Sequence, residues 1–490
     1  MPHYLPVPVS YGAPKVKLCI WKNDTLVRDL DVAFCADSPD VIYSYPLDSL
    51  DNTFTVDGRP YVPDLLDTPA TVSAEADALR PAFHFTAPVG WLNDPNGCYY
   101  DGTLYHLFYQ HNPVAPVWGN MHWGHAASKN LIHWEHRPIA LYPDEFGTMF
   151  SGSAIIDHEN VSGLGDGTTP PVLLYYTAAG GTNEQSAGQR FTQCLAYSTD
   201  GGATFTKYAG NPIIGWIDAE NRDPKVYPAG DGTFVLALYL SGDRYALFTS
   251  TDLLHWTQTQ TLPLPGDDEC PDLFPLDTPD GKRWIFMGAS GWYLTGSLAN
   301  GVFTDDGCPP RRFGFDFDND AYAAQTFYAV GDTRMRIAWN RWHHVGKHGL
   351  PYGSSMTLPH TLSLKEIDGM AYLCSTPVDL PEPTKQSAEL PQTIPASIDF
   401  EIFSDKGSFT LSVCGCSLSV CGSTLLWNDK TIELPCPLRD LTVLIDRFSV
   451  EFFGADGLLH LVRSVPLAEK PDCSLSLDGG ITVGYTTKEW

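Results

Sequence analysis

A weak internal echo constrains this chain more than any other feature. Ser128-Lys129-Asn130-Leu131-Ile132-His133-Trp134 returns as Ser250-Thr251-Asp252-Leu253-Leu254-His255-Trp256, and Ser198-Thr199-Asp200-Gly201-Gly202-Ala203-Thr204-Phe205 is a looser third copy. Each is a polar turn followed by an aromatic that enters the next strand, at intervals of roughly 50 to 70 residues, the spacing of propeller blades with insertions. Runs of Val, Ile, Leu, Tyr and Phe, broken by Gly, Asp, Asn and Pro, continue almost from end to end without a long helical period, so the expected class is all-β. A propeller would gather residues that are far apart in sequence into one funnel.

The flanks read differently. Val16 to Trp21, Thr25 to Phe34 and Val41 to Tyr45 are short strands of a small β module, which ends in the Pro-bearing approach Tyr61 to Pro69. Beyond a Pro-bearing connector around Pro377 to Pro395, Ile398 to Phe403, Ser408 to Val413 and Leu441 to Phe453 alternate as strands of a β-sandwich. The expected domains are residues 1–77, 78–372 and 373–490.

Hydrophobic residues make up 43% of the 490, enough for real cores, and the net charge of -28 disfavours nucleic acid and membrane-surface partners, which leaves a neutral substrate. Met1 to Lys15 holds Pro2, Pro6, Pro8 and Pro14 and no apolar run of signal-peptide length, so a cytoplasmic location is expected. The twelve cysteines have neither a disulfide-scaffold nor a zinc rhythm and are expected to be reduced; Cys414 and Cys416 would share one face of a strand.

Three carboxylates sit in settings that suit chemistry. Asp94 lies in Trp91-Leu92-Asn93-Asp94-Pro95-Asn96-Gly97, between an aromatic ring, two carboxamides and a tight turn. That heptad alone reads first as an Asx turn closing a hairpin. Asp223 lies in Arg222-Asp223-Pro224-Lys225, where adjacent cations should keep it ionised. Glu269 lies in Asp267-Asp268-Glu269-Cys270-Pro271-Asp272, where clustered like charges should favour its proton. A calcium loop from Asp267, Asp268 and Asp272 is the rival reading, but the ligand spacing is wrong. One ionised and one protonated carboxyl, about 5 to 5.5 Å apart, is what retaining glycoside hydrolysis requires.

Several segments, in order, resemble glycoside hydrolase family 32, the invertase, inulinase and levanase family. They are Phe83-His84-Phe85 with Trp91 to Gly97, Tyr109-Gln110-His111-Asn112-Pro113, Trp118 to His125, Phe150-Ser151-Gly152-Ser153-Ala154, Arg222-Asp223-Pro224, Glu269 to Phe274, and Ile445 to Phe452. The resemblance implies a five-bladed β-propeller followed by a β-sandwich, with Asp94 as nucleophile, Glu269 as general acid/base and Asp223 as stabiliser of the transition state. It also implies that Asn93, Gln110, Ser151 and Arg222 bind the fructosyl ring and that Trp91, Trp118 and Phe150 line its pocket. Within Asp316 to Ala324, Asp316 or Asp320 and Tyr322 would contact substrate, although Asp318 stands where many members have Gly. Asp268 also departs from the family, which commonly has an apolar or aromatic residue there; on a strand it would point away from the face of Glu269.

The implied activity is exo-β-fructosidase action, without metal or organic cofactor, on sucrose and short fructo-oligosaccharides; levan and inulin are the longer polymers of the same chemistry. A fructosyltransferase would share every motif. An endo-levanase would need an open cleft. A non-catalytic fructan-binding propeller would be expected to have lost one of the three carboxylates.

Overall fold

In the computed structural model, residues 3–230, 232–315, 317, 320–342, 349–379, 385–387, 398–403, 408–427, 429–465, 476–478 and 482–487 are described. Among them the only α-helix is the four-residue Ala74–Asp77, capped by the Ser73 hydroxyl, and strands dominate the rest. Five antiparallel meanders follow one another, starting with Gly90–Tyr100, Thr148–Ile156, Arg222–Pro228, Asp272–Thr278 and Ala321–Thr326. Each of these first strands touches the next, and the fifth touches the first, so the five form a closed cycle. A short parallel pairing of Tyr352 with Gly90 and Gly353 with Trp91 ties the last meander back to the first.

Burial within each meander explains its composition. Second strands such as Val172–Ala179 and Phe234–Ser241 are buried almost throughout because neighbouring sheets cover both faces, whereas the outer Trp134–Leu141 and Thr257–Pro263 are mostly exposed and polar. The sequence echo is a real turn at the outer edge of the first three meanders. Ser128, Ser198 and Ser250 hydroxyls accept backbone N–H groups two to four residues on, and Asn130, Asp200 and Asp252 accept the next ones. The fourth residue of the turn takes a left-handed backbone conformation at Leu131 and Leu253.

Before this region, His3–Val9 pairs with Val41–Leu47, and Thr25–Val32, Val16–Lys22, Thr53–Val56 and Arg59–Tyr61 form a second sheet. Leu5, Val7, Leu18, Leu30 and Tyr43 make its core, to which Val114 of the first meander also belongs. After it, a six-stranded and a five-stranded sheet share one core, with Leu411, Leu418 and Trp427 on one side and Val443, Ile445 and Phe452 on the other. Leu441 to Phe453 is not one strand: Asp440–Asp446 and Ser449–Gly454 pair as a hairpin. Cys414 and Cys416 are likewise separated by a turn, with Cys414 at φ 49 outside either strand, and Cys414 is disulfide-bonded rather than reduced. Most of the connector around Pro377 to Pro395 lies outside the described residues.

A buried ion network joins the C-terminal sheets to the meanders. His84 donates from Nδ1 to Asp446 at 2.8 Å and from Nε2 to Glu451 at 2.9 Å, and His460 Nε2 lies 3.2 Å from Glu451. Backbone N–H groups of Ala82, Phe83 and Leu358 complete the two carboxylates. Burial opposes the imidazolium, but the two carboxylates outweigh it and push His84 up to about 10, while both carboxylates lie below their ordinary range. Loss of one partner would strand buried charge, so His84→Ala should cost about 3–5 kcal/mol in chemical denaturation at pH 6. Because His84 is raised, its contribution is full below about 6.5 and falls away as pH rises toward about 10. The gap between parent and variant should narrow over that window; a gap independent of pH would contradict the assignment.

Candidate active site

Four of the five first strands are irregular where they carry polar side chains, and a bend precedes the remaining one. In Gly90–Tyr100 the register slips between Leu92 and Pro95, so that Asn93 and Asp94 bulge opposite Gln110. Register also slips between Phe150 and Gly152 at Ser151, between Arg222 and Lys225 at Asp223, and between Tyr322 and Gln325. Glu269 and Cys270 precede the Asp272–Thr278 strand in a left-handed bend, with φ of 53° and 34°, and Asp223 has φ 66°. A bulge breaks the strict alternation of a strand and re-aims one side chain, which lets four strands, with the bend before Asp272, send groups to one place.

That place is built around Cys270. Its Sγ lies 3.6 Å from Asp94 Oδ2 and 3.5 Å from Asp223 Oδ2, and its backbone N–H donates to Asp223 at 3.1 Å. Ser151 Oγ donates to Asp94 Oδ2 at 2.6 Å and Asn93 Nδ2 to Oδ1 at 3.1 Å. The Arg222 guanidinium donates to Glu269 Oε1, and Tyr322 Oη donates to Oε2 at 2.7 Å. Asp94, Asp223 and Glu269, expected together from sequence, therefore do meet.

Their electrostatics differ from the expectation. Arg222 lies on Glu269, and only its Nε comes within 3.9 Å of Asp223. Burial pushes the Asp223 carboxyl up to about 7; the nearby guanidinium pulls the other way, and Glu269 and Asp94 add to the rise. Burial also raises Asp94, opposed by the Ser151 hydroxyl and assisted by the charge of Glu269. The cations next to Asp223 in sequence do not hold it ionised, because Lys225 points away to Asp272 at 3.3 Å and to the Thr326 carbonyl at 2.8 Å. Asp268 does not sit on a strand facing away. It shares the Tyr322 hydroxyl with Glu269, at 3.3 Å, and is itself raised, chiefly by burial and then by Glu269.

Among the other expected residues, Gln110 is buried opposite the Asp94 bulge, and its Nε2 has no acceptor among the described residues, which leaves a donor for a ligand. Trp118 is 54% exposed and stands edge-on to Phe150 at 6.0 Å, so the two present an aromatic rim. Trp91 is buried: its indole N–H donates to Asn93 at 2.9 Å and its ring meets Trp339, so it orients Asn93 from behind. Asp316 and Asp318 lie outside the described residues. Asp320 accepts the Ser464 N–H at 2.8 Å and faces Arg463, toward the C-terminal sheets. Asp267 turns inward onto the N–H groups of Asp268, Ser290 and Trp292, and no cluster of three potential metal ligands occurs among the described residues.

Sequence reasoning assigned no role to Cys270, Tyr245 or Tyr239. Tyr245 Oη donates to the Glu269 carbonyl at 3.2 Å and so fixes the strained bend, and Tyr239 lies under the Arg222 guanidinium at 4.7 Å. Cys270 was visible beside Glu269. The two tyrosines carry no local signal, because they reach the site from second and third strands.

The Glycosyl hydrolases family 32 N-terminal domain matches residues 84–377. A levanase of Bacillus subtilis is 37% identical over 61% of this chain and 47% of its own length, and an invertase of Schizosaccharomyces pombe is 31% identical over 72% and 62%. The chain thus spans between about half and two thirds of these relatives. The crystal structure of an exo-inulinase from Aspergillus awamori superposes with a TM-score of 0.71 at 25% identity, covering 83% of this chain and 97% of that one.

An Asp raised to about 7 binds its proton more tightly in the folded than in the unfolded chain, so it lowers stability as pH rises from about 4 to about 7. Asp223→Asn should remove that loss. Relative to the parent, the variant should be on the order of 2 kcal/mol more stable at pH 8 than at pH 5. Equal differences at both pH values, measured by urea unfolding, would count against a raised Asp223.

Proposed function

Because the chain belongs to glycoside hydrolase family 32, we propose that it is a retaining exo-β-fructosidase that removes terminal fructofuranosyl units from sucrose and short fructo-oligosaccharides. The observation that carries this reading is the meeting of Asp94, held by Ser151 and Asn93, with Glu269, held by Arg222 and Tyr322, around the single residue Cys270. In keeping with the family, we take the closed cycle of five meanders as a five-bladed propeller over residues 78–372, preceded by a β module and followed by a β-sandwich.

On this reading Glu269 gives its proton to the glycosidic oxygen while Asp94 attacks the anomeric C2, and the leaving sugar departs with that proton. The fructosyl unit is then an ester of Asp94. Glu269, now ionised, takes a proton from water as the water oxygen attacks C2, and Asp94 leaves as a carboxylate. Two displacements at C2 restore its configuration. Asp223 and the free amide donor of Gln110 would hold ring hydroxyls, which supports the reaction by orientation. The raised Asp223 suits this role: a carboxyl that is half protonated near neutrality both donates to and accepts from hydroxyls.

Asp94→Asn and Glu269→Gln should each lower fructose release by at least about 10³-fold with the fold intact by circular dichroism. Near-parental turnover by either variant would refute the roles. For the substrate, fructose release from sucrose, kestose, inulin and levan should be fastest with the short sugars and should yield free fructose from the first minutes. Long oligomers without free fructose would indicate endo action, and kestose formed at high sucrose would indicate transfer.

A further inference from the structure

The N-terminal sheet meets the meanders in an unusual way: the free edge of its Thr25–Val32 strand is capped by side chains from elsewhere. Asn120 accepts the Asp31 N–H at 2.8 Å and donates to the Asp31 carbonyl at 3.0 Å, and Gln185 Nε2 donates to the Leu26 carbonyl at 2.9 Å. Between them, the buried Asp29 carboxylate accepts the Glu184 N–H at 3.2 Å and is paired with Lys17 at 2.8 Å. An uncapped edge would leave such groups open to mispairing. Here they hold two segments that lie outside any strand, residues 113–121 and 180–191.

Those two segments carry the ends of one aromatic file. Trp118 belongs to the first and Phe191 to the second; Phe150 stands between them, 6.0 Å from Trp118 and 5.4 Å from Phe191, edge-on to both. Phe150 immediately precedes Ser151, whose hydroxyl donates to Asp94. Asn120 lies two residues from Trp118 and also donates to Asn112 at 3.3 Å, while Asn112 donates to the Val117 carbonyl. The chain of contact therefore runs from the module's edge strand through two segments to the rim of the pocket.

We propose that the N-terminal module is a positioning element of the active site, whose Thr25–Val32 edge sets the Trp118–Phe150–Phe191 rim against which the sugar is bound. The residues that do this, Asp29 and the backbone of Leu26 and Asp31, touch no substrate. Their effect is on sugar recognition and reaches the carboxylates through Phe150, which adjoins Ser151. The inference rests on the fructosidase reading for its kinetic readout.

The test uses the full chain. Asp29→Ala, which removes the acceptor for the Glu184 N–H, should raise KM for kestose and sucrose about tenfold with kcat within about twofold and the pH profile unmoved. Asp29→Asn keeps an acceptor and should stay near the parent. Gln185→Leu, a milder change outside the module, should shift KM in the same direction and serves if Asp29→Ala fails to fold. Amide hydrogen exchange over residues 113–121 and 180–191 should quicken in Asp29→Ala and not in Asp29→Asn. Unchanged KM in both Asp29→Ala and Gln185→Leu, with or without faster exchange, overturns the proposal. If the parent releases no fructose from any substrate, the fructosidase reading falls instead, and unchanged exchange in Asp29→Ala would then overturn the bracing as well.

Discussion

Three carboxylates crowded into one partly buried site set the terms for the rest of this molecule. Like charges 4 Å apart repel by about 4 kcal/mol at an effective dielectric of 20, and burial adds to that cost. The site therefore needs donors around every acid. Ser151 and Asn93 serve Asp94, the Cys270 N–H serves Asp223, and Arg222 with Tyr322 serves Glu269. The remaining imbalance falls on Asp223, the most enclosed of the three, which keeps its proton up to about 7.

Regular strands could not assemble such a site. Strict alternation sends adjacent side chains to opposite faces, so Asn93 with Asp94 or Arg222 with Asp223 would be separated. Bulges at those positions, and left-handed backbone at Asp223, Glu269 and Cys270, bring neighbours to the same side. Such conformations cost energy and survive where surrounding structure over-determines them. Tyr245 on the Glu269 carbonyl, and Thr177 accepting the Asp223 N–H at 2.9 Å, are examples of that surrounding structure.

Much of this was legible in sequence where the signal is local. The Ser-x-Asp turns announce themselves because their side chains satisfy their own backbone, and the strands of the module and of the meanders follow from apolar runs between turn formers. The acids were found because Pro, Asn and Arg beside them are unusual company. What escaped depends on partners distant in sequence. Proximity along the chain pointed Arg222 at Asp223, yet tertiary packing aims it at Glu269 and sends Lys225 to Asp272. Alternation puts Asp268 and Cys414 on strands, yet the strand near Asp268 begins only at Asp272 and a turn holds Cys414. Asn120, inside the segment Trp118 to His125, caps an edge strand 89 residues earlier.

The pairing of Tyr352 and Gly353 with Gly90 and Trp91 carries a consequence for biosynthesis. The strand that bears the heptad is made early, but its second neighbour comes more than half of the chain later. Contacts of such long range form slowly, and until they do, one edge of that strand presents unpaired backbone to whatever is nearby. The ribosome thus releases the central part of the site long before the element that covers this edge, and sheltering that edge becomes a task for the cell's folding machinery.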